Sequence, residues 1–354
     1  MNRRSFINAT LAAPAIAAAT TAQGQAPAEG ALRCSTNGVF RILAISDLHY
    51  TPKLDTHGIA LTERLIDSDK PSLVIVNGDC LSGKSCESAE GLRAAVGHVA
   101  AAMENRRVPW AITFGNHDQE HFQKTRLGKD AVLDMYAGYR HNLNGGYQKG
   151  LTGGGNKTLL IWDAAGAKPV YCVWLMDSNE YFQDGKNRPY DWIHADQIDW
   201  YRQTSIELEK RYGARIPGLM FFHIPLPEFI EMVNKSKIIG ARHEPEMPSP
   251  VNSGMFAAVS DRGDVRGIYC GHDHINNYMG RWRGIELGYD GSLGHYAYPK
   301  VEPDDPANGR IRGGRVFEIT AGSPARHTTW MRFKDGTKNW EAASEAYMKD
   351  NLKT

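Results

Sequence analysis

The chain carries almost no excess charge of either sign: 41 basic residues against 40 acidic ones leave a formal net charge of +1 over 354 residues. No global field steers it toward nucleic acid or an anionic lipid surface, so any anion-binding site must be local. Cysteine is scarce. The five, at positions 34, 80, 86, 172 and 270, fit no C-x-x-C zinc pattern, and an odd number cannot pair completely within one chain. Cys80 and Cys86 are close enough for a small disulfide loop in an oxidising compartment, whereas Cys172 and Cys270 fall in apolar runs and read as buried small hydrophobes. A long hydrophobic run is also missing. The apolar stretch from Leu11 to Ala19 is short and alanine-rich, whereas a spanning helix needs about 20 predominantly apolar residues, so no membrane anchor is expected. No internal repeat is present.

What the N-terminus does have is Arg3-Arg4-Ser5-Phe6-Ile7 ahead of that apolar stretch, then small residues up to Ala26-Pro27. This is a signal-peptide layout, and the arginine pair resembles a twin-arginine (Tat) leader over residues 1–27. It implies a periplasmic or secreted mature protein. A Gly/Ala/Pro-rich linker follows over 28–37.

Beyond the linker, short apolar runs repeatedly end in polar residues with metal or proton chemistry. Phe40 to Ser46 reads as a buried strand ending in Asp47-Leu48-His49, a spacing that in extended chain projects both side chains to one side. A helix is expected over Ile59 to Asp67, stopped by Lys70-Pro71, before a second strand, Leu73 to Val76, ends in Asn77-Gly78-Asp79. Ala89 to Asn105 has helical spacing, and the strand Trp110 to Thr113 delivers Phe114-Gly115-Asn116-His117-Asp118. This β-α-β alternation argues for α/β architecture.

Residues 119–158 read as an inserted polar loop region with a short helix at Lys129 to His141. Strands follow at Leu159 to Trp162 and Val170 to Met176, then a helix within Asp191 to Lys210, then Gly218 to Phe222 leading into His223. Prolines break up 225–255 around a short helix near 228–233. Val265 to Tyr269 precedes Cys270-Gly271-His272-Asp273-His274, and β-like runs at Arg315 to Thr320 and Thr328 to Phe333 are expected to form a second sheet.

Collected, the strand ends offer Asp47, His49, Asp79, Asn116, His223, His272 and His274: two carboxylates, one amide and four imidazoles. That is too many donors for one tetrahedral zinc and suits two ions sharing a bridging carboxylate. Fe, Mn and Zn all accept such a nitrogen and oxygen set.

The ordered blocks D-x-H (47–49), G-D (78–79), G-N-H-D (115–118), His223 and G-H-x-H (271–274) resemble those of the calcineurin-like metallophosphoesterase superfamily over about residues 38–300. Wider features, including Tyr190-Asp191-Trp192 and Phe221-Phe222-His223-Ile224-Pro225, look most like the branch related to purple acid phosphatases that includes plant purple-acid-phosphatase-29-like and fungal Dcr2-like enzymes.

The resemblance implies a four-layer α/β/β/α sandwich of two mixed β-sheets flanked by helices, filling residues 38–340 ahead of a short tail, 341–354. It implies Asp47, His49 and His274 on one metal, Asn116, His223 and His272 on the other, Asp79 bridging, and His117 as the catalytic acid or charge stabiliser. Ser82 stands where purple acid phosphatases carry a tyrosine ligand, so no purple colour is expected. Phe114 and Leu81-Ser82-Gly83 replace the arginine-bearing blocks of Ser/Thr protein phosphatases. Lys84, His121, Arg126 and Arg188 remain as outer phosphate contacts or plain surface residues. The expected reaction is hydrolysis of small phosphomonoesters. The alternatives are phosphodiester hydrolysis (cyclic nucleotides or glycerophosphodiesters) and a non-catalytic, metal-stabilised binding protein.

Overall fold

The computed structural model describes residues 31–294, 312–322 and 325–343, so the leader expected at 1–27 lies outside the described residues. The chain begins with β1 (Val39–Ile45), α1 (Thr56–Asp69), β2 (Leu73–Asn77), α2 (Ala89–Arg106) and β3 (Trp110–Thr113). The Asp55 side chain caps α1 by accepting from His57 and Gly58 N–H at 3.0 Å each. Lys70 closes that helix in the left-handed conformation, and Pro71 follows, a combination that cannot continue a helix. Ser88 caps α2 through Gly91 N–H. These boundaries lie within a few residues of those read from the sequence.

Two short helices come next, α3 (Phe122–Thr125) and α4 (Lys129–Ala137). The second is shorter than expected, because the chain turns off at Gly138 rather than running on to His141. Then come β4 (Lys157–Trp162), β5 (Pro169–Leu175), α5 (Ala195–Tyr212), β6 (Gly218–Phe221), α6 (Glu228–Lys235), β7 (Ile238–Ile239), α7 (Met255–Arg262), β8 (Val265–Cys270), β9 (Met279–Trp282) and β10 (Ile285–Tyr289). The C-terminal part supplies β11 (Gly313–Thr320), β12 (Arg326–Phe333) and β13 (Lys338–Ala343). Helix α7 and strands β7, β9 and β10 were not legible beforehand: each is short, and prolines or glycines interrupt the periodic pattern around them.

Six strands form one sheet in the order β13-β12-β11-β1-β2-β3, and seven form the other, β4-β5-β6-β8-β10-β9-β7. The expectation that the C-terminal runs build the second sheet is corrected here. β11 pairs antiparallel with β1, Phe317 opposite Ile42, so they complete the first sheet. Periodicity identifies a strand but says nothing of its partner.

Alternation along β1 shows how the layers form. Leu43 and Ile45 pack against α1 and α2, while Phe40, Ile42 and Ala44 face Tyr171, Val173, Leu219 and Phe221 of the second sheet. A third core joins the outer face of that sheet to α5, α6 and α7 through Trp174, Tyr201, Phe229 and Val259. Strands covered on both faces explain why the sequence shows continuous apolar runs rather than strict alternation. The result is the four-layer sandwich, with mixed sheets innermost.

Residues Leu32 and Cys34, within the stretch read as linker, already pair with Trp162 at the end of β4: Cys34 N–H donates to the Trp162 carbonyl, and Trp162 N–H to that of Leu32. All five cysteines are buried and unpaired. The Cys80–Cys86 loop does not form, since the Cys80 thiol donates to the Thr113 carbonyl and the Cys86 thiol to that of Ser82. Among the described residues, no helix is long and apolar enough to cross a membrane.

Candidate metal centre

Parallel strands β1, β2 and β3 of one sheet and β6 and β8 of the other all release their C-terminal ends at the same edge of the sandwich. That edge, where strand ends and loops leave unpaired backbone groups, is the ordinary place for a site in an open α/β sheet. Asn77 joins the two sheets there. Its amide donates to Asp290 Oδ2 (2.6 Å), the Tyr269 carbonyl (3.0 Å) and the Phe222 carbonyl (3.3 Å), while its oxygen accepts from Thr113 Oγ1 (2.8 Å).

The loops leaving β1 and β2 are bound to each other: Asp47 N–H donates to the Gly78 carbonyl and His49 N–H to the Asp79 carbonyl. Asp47, His49, Asp79 and His272 all adopt left-handed backbone conformations, with φ of 53°, 49°, 46° and 76°. Asp47 and His49 therefore converge through two left-handed residues, not through the extended spacing expected. Non-glycine residues held there cost on the order of 1–3 kcal/mol each and cluster at functional sites. Two glycines make room for the donors. A Cβ on Gly78 would lie 2.5 Å from the His223 ring, and one on Gly115 would lie 2.3 Å from Asp79 Oδ1.

Oxygen and nitrogen donors of Asp47, His49, Asp79 and His274 all lie within 4.8 Å of one another. His274 Nε2 is 3.2 Å from Asp47 Oδ1 and 3.2 Å from His49 Nε2. Asp79 Oδ2 stands between this group and a second one, 3.6 Å from His49 Nε2 and 3.2 Å from His223 Nε2. The His272 ring lies against that of His223, centroids 5.3 Å apart. Asn116 is buried beside Tyr181, whose hydroxyl accepts from its amide nitrogen at 2.8 Å.

Within this set, Asp79 Oδ2, Asn116 Oδ1 and His223 Nε2 are buried without a hydrogen bond of good geometry, the first and last facing each other at 3.2 Å. Each is what its other half dictates. Asp79 Oδ1 accepts from His117 N–H (2.8 Å), Asn116 Nδ2 donates to Tyr181, and His223 Nδ1 pairs with the Asn77 carbonyl at 2.9 Å, which puts the ring proton there and the lone pair on Nε2. Orphaned buried polar atoms are costly unless a ligand meets them, and this set has the chemistry of a cation site. All seven donors expected from the sequence are brought to this edge.

Electrostatics agree. Burial alone would raise the carboxyls of Asp47 and Asp79, but His274 and His223 beside the first, and His223 and His49 beside the second, hold both below the ordinary carboxylate range. Burial keeps His49 and His272 neutral, down to about 4 and about 3. His223 goes the other way. Burial opposes protonation, but Asp79 and Asp47 push it up to about 10, so a cation there takes the place of a proton.

His117 sits at the rim, about one third exposed, its ring 5.2 Å from that of His49. Its Nδ1 lies 2.9 Å from Glu120 Oε2, and Glu120 Oε1 is 3.1 Å from Lys84 Nζ. Burial works against protonation of His117, yet Glu120 and Asp79 raise its pKa above the ordinary imidazole value. Asp118 ties the loop down, accepting from Leu81 N–H (2.8 Å) and Gly115 N–H (2.7 Å).

Sequence reasoning missed Glu120, Tyr181 and Asn77. A glutamate three residues after the histidine could have been noticed on a turn, but a tyrosine 65 positions from Asn116 carries no local signal. Of the outer contacts considered, Lys84 and Arg188 line a cavity beside Asn116. His121 is instead buried against Thr125, and Arg126 is exposed beside Gln123.

The fold and the donor set define a metal-dependent phosphoric ester hydrolase. The sequence model for "Calcineurin-like phosphoesterase" matches residues 40–276, and the chain belongs to that family. It is 31% identical over 352 residues to an Arabidopsis thaliana protein named "Probable inactive purple acid phosphatase 29", covering 90% of this chain and 85% of that one. It is 28% identical to the "Phosphatase DCR2" of Saccharomyces cerevisiae, covering 87% of this chain and 56% of the yeast protein. These relatives support the purple-acid-phosphatase-related branch. In fold it is similar to a dimetal phosphatase from Danio rerio, with a TM-score of 0.54 at 11% identity, covering 86% of this chain and 98% of that one.

Proposed function

We propose that the protein is an exported phosphomonoesterase acting on small phosphate esters. The observation that carries the reading is the set of buried ligand atoms left without a good hydrogen bond, Asp79 Oδ2, Asn116 Oδ1 and His223 Nε2, at the edge that also holds a histidine paired with a carboxylate.

Asp47, His49 and His274 would hold one cation and Asn116, His223 and His272 the other, with Asp79 Oδ2 between them. Bound there, two cations supply Lewis acidity toward water and charge compensation for phosphate oxygens. The chain's own contributions are distinct from that. His223 keeps its lone pair on Nε2 because its Nδ1–H donates to the Asn77 carbonyl, and Asn116 commits its amide nitrogen to Tyr181, leaving its oxygen without a partner. Water attacks phosphorus and releases one proton to solvent, the ester P–O bond breaks, and His117 gives its Nε2 proton to the departing alkoxide and is reprotonated from solvent, leaving hydrogen phosphate and an alcohol. Glu120 positions that ring and favours its protonated form.

The Arabidopsis thaliana relative carries the word inactive in its name, but here every donor and His117 are present. A purely binding role predicts damage at the bridge or the acid, and Asp79 and His117 are intact. Turnover of p-nitrophenyl phosphate against bis-p-nitrophenyl phosphate, measured on protein whose Fe, Mn and Zn content is determined in parallel, tests the reading. Preference for the diester would replace it with phosphodiesterase action.

Export rests on the arginine pair, Arg3 and Arg4. A site assembled from segments more than 200 residues apart forms only after folding, and a Tat-type route carries folded protein. Replacing both arginines by lysine and fractionating cells tests it: full-length precursor should be retained in the cytoplasm.

A further inference from the structure

A cavity of about 670 Å³ opens at the rim of the centre, with Asn116 and Glu120 among its lining residues. Its volume lies within the range of pockets for organic ligands and exceeds what a phosphate alone needs. Its lining is of mixed character. Phe122, 41% exposed, is one of the few large apolar side chains left open to solvent among the described residues. Tyr181 forms another wall, with the Arg188 guanidinium 5.1 Å above its ring and its hydroxyl on Asn116. Gln119 also lines the cavity, and its buried amide nitrogen has no hydrogen-bond partner.

Aromatic faces, a guanidinium and a spare amide donor together suit a planar ring bearing a hydrogen-bond acceptor, as in a nucleobase, which has both a π-face and an acceptor edge. A flexible aliphatic alcohol could accept from the amide but would leave the aromatic faces unused. Location decides which part of the substrate enters. Glu120, which holds His117, lines the same cavity, so the acid and the cavity serve the same side of the phosphorus. That side belongs to the leaving group.

Resting on the monoesterase reading, we propose that this cavity is the leaving-group subsite and that it selects phosphate esters of nitrogen-heterocycle alcohols, the nucleoside monophosphates being the plain example. Gln119 donates to the ring, Phe122 and Tyr181 supply faces, and Arg188 borders the open end.

Adenosine binding to the full-length protein, followed by calorimetry, tests the subsite without requiring turnover. Adenosine should bind, and Phe122→Ala should weaken it about tenfold, the scale of one lost base–aromatic stack. Phe122 is exposed, so the variant folds. Metal-loaded wild type should also turn over adenosine 5′-monophosphate with kcat/KM about tenfold above that for glycerol 3-phosphate, whose leaving group is an alkoxide too. Equal affinity in wild type and Phe122→Ala, absence of adenosine binding, or equal kcat/KM for the two esters overturns the proposal. If adenosine binds in a Phe122-dependent way while neither monoester is cleaved, the ring subsite stands and the monoesterase reading falls.

Discussion

Glu120 offers the sharpest test of how the catalytic histidine is made ready. Its carboxylate is 14% exposed, one oxygen 2.9 Å from His117 Nδ1 and the other shared with Lys84, whose amine is 77% exposed. An exposed pair such as Glu120–Lys84 contributes little, so the His117 contact is the one that matters. Hydrogen bonds to charged groups are worth about 1.5–3 kcal/mol against about 0.5–1.5 for neutral ones. Glu120→Gln keeps the volume and an acceptor but removes the charge. The expected loss, discounted because His117 is a third exposed, is about 1 kcal/mol in the transition state, roughly five- to tenfold in rate. Glu120→Ala removes orientation as well, and the loss should approach the lower end of what a general acid supplies, about 10²-fold. Both losses must depend on the leaving group. Phenyl phosphate needs a proton delivered, whereas p-nitrophenyl phosphate departs as a stable phenolate. The assay is therefore kcat/KM for both esters with metal content measured alongside. Equal losses on the two esters, or Glu120→Ala as active as wild type on phenyl phosphate, would refute the positioning argument.

The other expectations concern the acid, the bridge and the core. His117→Ala should lose about 10²-fold or more in kcat while elemental analysis finds metals retained, because His117 reaches Asp79 through its backbone N–H rather than its ring. Gly115→Ala drives a Cβ to 2.3 Å from Asp79 Oδ1 and 2.4 Å from the Asp79 nitrogen, so the bridging carboxylate must shift. Metal affinity, read by calorimetric titration, should fall about 10- to 100-fold. Far from the centre, Glu286 is buried among His327 (2.8 Å), Tyr269 Oη (2.9 Å) and Arg281 (3.0 Å). Burial alone would raise its pKa, but these partners, His327 foremost, lower it from 4.5 to about 2. A depressed folded-state pKa contributes stability above the unfolded value that is lost as pH falls through the folded one. Unfolding free energy should thus drop by about 3 kcal/mol between pH 4.5 and 2 on this account. Glu286→Gln should flatten that stretch of the curve in urea titrations, and an unchanged acid limb would remove Glu286 from the explanation.

How much of this could be read from the chain beforehand depends on the range over which each feature is encoded. Strands β1, β2, β3 and β8 announce themselves because they are buried on both faces, and the donors that follow them stand beside glycines for a local steric reason: Gly78 and Gly115 leave room where a Cβ would strike His223 or Asp79. Both causes lie within a few residues of their effects, so sequence displays them. Sheet partnership does not work that way. The β1–β11 register joins residues some 275 positions apart, Ile42 with Phe317, and β11 would look the same in either sheet.

The same distinction separates the parts of the centre. The donor types are local facts about strand ends, whereas which atom of each donor is free is settled by distant partners: Asn77 for His223, Tyr181 for Asn116, the His117 backbone for Asp79. Even the convergence of Asp47 and His49, which extended-chain spacing seemed to explain, depends on φ near +50° at both, held by bonds to the Gly78 and Asp79 carbonyls of the neighbouring loop. A substitution at Asn77 or Tyr181 should therefore weaken the centre without touching a ligand. The motif specifies what can bind, and contacts outside the motif decide which lone pairs are offered.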